Sequence, residues 1–222
     1  MIGIRQRLPT AVLLIGLPLL SNVASFVIFA PVFASKWTIT EADFQRAGLL
    51  VGVAIVVIEF IAFLLIVGFL RRENRSLESV INFQRNGLRT YLFVGLTALL
   101  PTAVAGWLYS QAQIQAGVVN NFSQLSLAEI SLWYVITPIS AAFFEEIIWR
   151  GYTIPRLQGI WRGLLFSSLS FALFHGIFNP LAVVASFLQG LVWGWVYRRT
   201  DSTVPSMVLH FLSRYLIFAP GL

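Results

Sequence analysis

Apolar residues in this chain gather into long runs, and the polar and charged residues fall in short stretches between them. Runs of about 20 apolar residues cross a bilayer core of ~30 Å as helices. Seven segments fit: 10–34, 47–70, 88–110, 129–153, 161–178, 181–197 and 203–219. The pattern predicts an all-α, polytopic membrane helix bundle occupying residues 1–222 as a single domain. The first run follows Arg5 and Arg7 but is too long for a signal-peptide core, so it reads as an uncleaved helix. Asn179-Pro180 breaks the chain between the fifth and sixth segments, because proline disfavours helical geometry in the residue before it. Gly190 and Gly194 have the small-xxx-small spacing of close helix packing.

The intervening stretches set an orientation. Connection 71–89 holds five Arg and two Glu and is assigned to the cytoplasmic side by the positive-inside rule. Arg5 and Arg7, Arg156 and Arg162, and Arg198 and Arg199 share that side if the N-terminus is cytoplasmic. Stretch 111–128 carries no charge and fits the opposite side. Seven crossings then place the C-terminus outside. The expected setting is a cell inner membrane or an organellar membrane, with the lipid bilayer as the constant partner.

Composition agrees. The chain is 58% hydrophobic and 11% charged, against about 25% charged in an ordinary soluble domain. The net charge of +6 sits in the short loops and does not indicate a nucleic-acid partner. With no cysteine, disulfides, thiolate metal sites and a cysteine nucleophile are excluded.

Against this background, ionisable residues inside the apolar runs mark candidate function. Glu145 and Glu146 are adjacent in the fourth run, and Glu146 lies four residues before Arg150, the favourable order for an ion pair on one helix face. Glu145 projects about 100° away and lacks that partner. Both histidines of the chain, His175 and His210, fall in later runs, and Glu with His is the common pairing of general acid–base catalysis. At ~1.5 Å per residue from the Arg-bearing ends, Glu145, His175 and His210 lie about 16, 20 and 13 Å deep, close enough to converge in a site opening toward the cytoplasm. Glu59 is a further buried acid, a site member or a structural partner for a neighbouring helix. Arg214 needs a partner, for which Glu59 and Glu146 are candidates.

Glu145-Glu-Ile-Ile-Trp-Arg150, Phe171-Ala-Leu-Phe-His175 and the later His210 resemble the ordered motifs E-E-x-x-x-R, F-x-x-x-H and H-x-x-x-N of the CPBP intramembrane proteases. That family includes the CAAX prenyl endopeptidases and the Abi, or bacteriocin-processing, proteins. The resemblance covers the last four predicted helices and implies a catalytic core over 129–219, with 1–128 as accessory helices. It implies that Glu145 and His175 activate a water for attack on a peptide carbonyl and that His210 stabilises the oxyanion. Glu146, Arg150 and Phe171 would shape the site or bind substrate. The family's Asn, four residues after the last His, is replaced by Arg214. Ser213 and Asn179 are candidate substitutes for that donor.

The implied substrate is a membrane-associated protein or peptide. Two His and one Glu are also a possible zinc set, but the H-E-x-x-H signature is absent; metal-independent water activation is favoured and the cofactor stays open. A second reading is a weak or inactive family member serving as membrane scaffold, regulator or immunity protein. A third is a proton-coupled transporter, for which no inverted repeat of hydropathy speaks. Oligomeric state is not legible.

Overall fold

The computed structural model describes residues 9–35, 41–115, 126–157 and 159–216. Arg5, Arg7, residues 116–125 of the uncharged stretch and residues 217–219 of the last predicted crossing lie outside them. The described residues form helices α1 (Leu17–Ser35, entered through a π-helical turn Val12–Gly16), α2 (Glu41–Arg72), α3 (Glu78–Ile81), α4 (Leu88–Gln115), α5 (Leu127–Arg156), α6 (Ile160–Phe174), α7 (Pro180–Thr200) and α8 (Val204–Leu216), with no strand.

Five helical stretches are long and apolar enough to cross a membrane: Pro9–Pro31, Arg46–Arg72, Leu88–Gln115, Leu127–Arg156 and Pro180–Thr200. Their outer faces carry exposed large apolar side chains, such as Leu92, Phe93, Leu96 and Leu100 on α4. Such faces suit lipid, which offers no polar partner to a side chain. The chain is therefore an all-α, multi-pass membrane bundle. The other two predicted crossings fold as α6 and α8, of 15 and 13 residues, about 22 and 20 Å long at 1.5 Å per residue.

The sequence pattern carries α6 to residue 178, but the helix ends at Phe174, with His175 as its C-cap. Two causes are local. Gly176 adopts φ +119°, a conformation open to glycine and strained for other residues. Asn179 caps the next helix by accepting from the Leu181 and Ala182 amides, and Pro180 takes a first-turn position where its missing N–H costs nothing.

α7 is the central packing element, lying against α4, α6 and α8. Gly190 and Gly194 serve close helix approach. A Cβ on Gly190 would sit 2.9 Å from the Ser168 Cα, and one on Gly194 would sit 2.4 Å from Leu164 Cδ1.

The charged connection 71–89 folds into the bundle end. Its helix α3 closes on Asn82 in the left-handed region, φ 50°. Asn82 Nδ2 donates to the Asp201 carbonyl (2.6 Å), and the Ile81 carbonyl accepts from the Thr203 amide (3.1 Å). Arg156 is buried at this end, paired with Glu73 and stacked 3.6 Å from the Tyr152 ring centroid. This connection thereby ties α2, the end of α5 and the α7–α8 turn together.

Candidate active site

α5 begins with a capping box, Ser126 with Glu129. It then widens into π-helical winding at Leu132–Ile136 and again at Ala141–Thr153. π-helical stretches are rare and concentrate at functional sites. From Glu145 through Thr153 every side chain is buried, because α2, α3, α6 and α8 all close around this segment. Gly151 allows that enclosure: a Cβ there would meet Val80 Cγ1 at 2.4 Å and the Val80 carbonyl oxygen at 2.9 Å.

Glu146 and Arg150 form the ion pair expected from their spacing, 3.1 Å between Oε1 and Nη1, both fully enclosed. The same Oε1 lies 3.0 Å from His210 Nδ1. A carboxylate accepts, so Nδ1–H of His210 donates and its other ring nitrogen is left free of this bond. Burying charge without a partner is costly. Here one carboxylate serves both a guanidinium and an imidazole. The Arg150 guanidinium also lies 4.5 Å from the Phe171 ring centroid and 5.5 Å from that of Trp193, a cation–π setting. Enclosed in this way, Glu146 links Arg150 of its own helix to His210 of α8.

Glu145 points to the other side. Its Oε2 is 3.7 Å from His175 Nε2. His175 Nδ1 is 2.9 Å from the Phe171 carbonyl, which can only accept. Nδ1 therefore carries the proton, and in the neutral ring Nε2 presents its lone pair toward Glu145. Polar groups separated by more than 3.5 Å suit a bridging water. The His175 side chain keeps 23% exposure against 2% for Glu145, so the pair is reached from the His175 side.

Aromatic rings join the two halves. Phe171 is buried with its centroid 4.4 Å from the His175 ring and 5.9 Å from the His210 ring. Trp193 stacks on His210 at 4.1 Å and 23°, and its indole N–H donates to Thr102 Oγ1 (3.3 Å). Trp149 packs edge-on against Phe171, and its N–H donates to Ser170 Oγ (3.0 Å).

α1, outside the motif-bearing region, fixes the end of α6. Ser21 Oγ donates to the Phe174 carbonyl (2.9 Å), and Asn22 Nδ2 donates to the Leu173 carbonyl (2.8 Å). Asn22 Oδ1 accepts from the Ile177 amide (3.2 Å). Helix C-termini leave carbonyls unsatisfied; these two are served by α1 at the turn that carries His175. Ser21, Asn22, Thr102 and Trp193 are absent from a reading based on ionisable residues alone. Their signal is uncharged polarity inside apolar runs, which also marks interhelical contact.

Arg214 stands within electrostatic reach of His175, His210, Tyr109 and Tyr134. The two candidate substitutes for the missing Asn are otherwise engaged. Asn179 caps α7 with its oxygen and donates to the Ala112 carbonyl with its amide (2.9 Å). Ser213 Oγ donates to the His210 carbonyl (2.6 Å). Among the described residues no three His, Asp or Glu side chains are placed as a metal ligand set. His210 and Glu146 face each other beside the Arg150 cation. The Arg150 cation beside this carboxylate opposes a second cation at the same oxygen.

Residues 127–216 match the family model described as type II CAAX prenyl endopeptidase Rce1-like. Over this segment the chain is similar to the CAAX protease family. The match runs from the capped start of α5 to the last described residue of α8, so it contains Glu145, His175 and His210 and leaves out α1 to α4. No curated protein and no solved structure matches the chain. The description of that family model names a prenyl endopeptidase, an activity said of the family.

Proposed function

We propose that the protein hydrolyses a peptide bond of a membrane-associated protein by water activated between Glu145 and His175, without a metal ion. The observation that carries this reading is the Glu145–His175 approach at 3.7 Å, with the ring nitrogen facing Glu145 left as an acceptor by the bond to Phe171. A water held between the two groups loses a proton to Glu145 as its oxygen attacks the carbonyl carbon. The same carboxyl then protonates the leaving amine. Arg214 supplies a donor for the developing oxyanion, and His210 adds a second when both of its ring nitrogens carry protons. Glu146 orients His210, and Arg150 holds Glu146. Arg214 replaces the neutral amide of the family pattern with a cationic donor.

Proteoliposomes containing the purified protein test this reading against two substrate sets: C-terminally prenylated peptides and membrane-anchored peptides with N-terminal leaders. Mass spectrometry of the products locates the cut. The expected result is cleavage by wild type, and a loss of about 10²–10³ in rate in Arg214→Ala, the usual effect of removing one oxyanion donor. Absence of wild-type cleavage, with cleavage appearing in Arg214→Asn, would establish instead that Arg214 makes this chain a non-cleaving family member.

A further inference from the structure

Glu59 lies on α2, outside the family match, and is 1% exposed. Its side chain faces α5, with the carboxyls of Glu59 and Glu145 side by side and Ser140 adjacent. Phe60 and Phe63 flank it and lock α2 against α5 through Phe144 (5.9 and 5.2 Å between centroids) and Phe143 (5.7 Å). Among the described residues no hydrogen-bond donor meets either Glu59 oxygen in bonding geometry. The Ser140 hydroxyl donates to the Thr137 carbonyl instead (3.2 Å).

An enclosed carboxylate with no donor and a second carboxylate beside it is not a stable arrangement. Two carboxyls side by side in an enclosed apolar setting repel each other when both are ionised, and one proton between them relieves the repulsion. The cations nearby do not remove this constraint: Arg150 is committed to Glu146, at 3.1 Å.

We propose that Glu59 is a positioning residue for Glu145: the two enclosed carboxyls share one proton in a hydrogen bond between them, and that pair exchanges protons with the attacking water. The catalytic part rests on the endopeptidase reading above. In the resting pair there is one proton and one negative charge. When the water oxygen forms its bond to the carbonyl carbon, a water O–H breaks and the pair holds two protons, while the carbonyl electron pair moves to oxygen. When the C–N bond breaks, the pair returns one proton to the amine nitrogen. The pair ends as it began.

Infrared spectroscopy of the purified protein reads the shared proton directly, whether or not a substrate is known. Wild type at neutral pH shows the C=O stretch of a buried protonated carboxyl. Glu59→Gln and Glu145→Gln each remove or shift that band, and Glu78→Gln, on the exposed start of α3, leaves it unchanged. Using both pair variants keeps the test decisive if one of them fails to fold. A wild type without the band, or a band untouched in both variants, would overturn the proposal. With a cleaved substrate in hand, Glu59→Gln lowers kcat by about 10²-fold with KM unchanged, the lower end of acid–base contributions. Wild-type kcat in folded Glu59→Gln would also overturn it. Failure of wild type to cleave any peptide counts against the endopeptidase reading and leaves the infrared result to decide the shared proton.

Discussion

At the scale of single residues, two adjacent carboxylates do different things because their surroundings differ. Glu146 meets a guanidinium at 3.1 Å and an imidazole at 3.0 Å, while Glu145 meets a ring nitrogen at 3.7 Å. Removing one member of a buried ion pair leaves an uncompensated charge and costs about 3–5 kcal/mol, whereas an apolar replacement of both is far milder. Glu146→Gln is therefore expected to lower thermal stability in detergent strongly, and the double variant Glu146→Gln/Arg150→Met to recover part of the loss. Equal melting temperatures for wild type and Glu146→Gln would show that the pair does not stabilise the fold. Most of this was legible from spacing: the i, i+4 pair, the unpartnered Glu145 and the importance of both histidines. The stacking of Trp193 on His210 was not, since aromatic partners on two separate helices, α7 and α8, carry no local signature.

At the scale of elements, the sequence pattern located the helices and misplaced one critical end. A run of apolar residues continues to Phe178, so hydropathy extends the helix past His175, while Gly176 and the Asn179 cap end it. That early stop puts His175 at a helix terminus, where Ser21 and Asn22 of α1 can reach the free carbonyls. Such a contact spans more than 150 positions and is invisible to any local rule. Losing buried hydrogen bonds of this kind costs about 1–3 kcal/mol. Asn22→Ala should accelerate amide hydrogen exchange at Ile177 and reduce kcat more than it changes KM. Unchanged exchange there would mean that α1 does not hold this turn. The π-helical winding of Ala141–Thr153 is equally silent in sequence. It needs neighbours on all sides to be stable, and those come from α2, α3, α6 and α8.

At the scale of the whole molecule, apolar side chains face outward and the charged cluster faces inward, as expected where the solvent is lipid. Membrane class and the bundle of long helices follow from hydropathy alone. Orientation rests on the positive-inside rule, and the absence of cysteine makes it simple to test. A Ser76→Cys variant places one thiol in the exposed Arg-rich connection. It should react with a membrane-impermeant maleimide from the cytoplasmic face only; labelling from the other face would invert the assigned topology. Contacts from outside the segment 127–216 reach the candidate site: α1 at the turn that carries His175, and α2 through Glu59 beside Glu145.

The central claim is that Glu145 and His175 act together on a water. The initial rate of cleavage of a membrane-anchored peptide in proteoliposomes tests it, comparing wild type with Glu145→Gln and His175→Ala at equal folded amounts. Each variant should lose about 10²–10⁴ in rate, and the double variant should lose little more than either alone, since groups acting as a unit are not additive. Wild-type cleavage by either folded single variant would contradict the account.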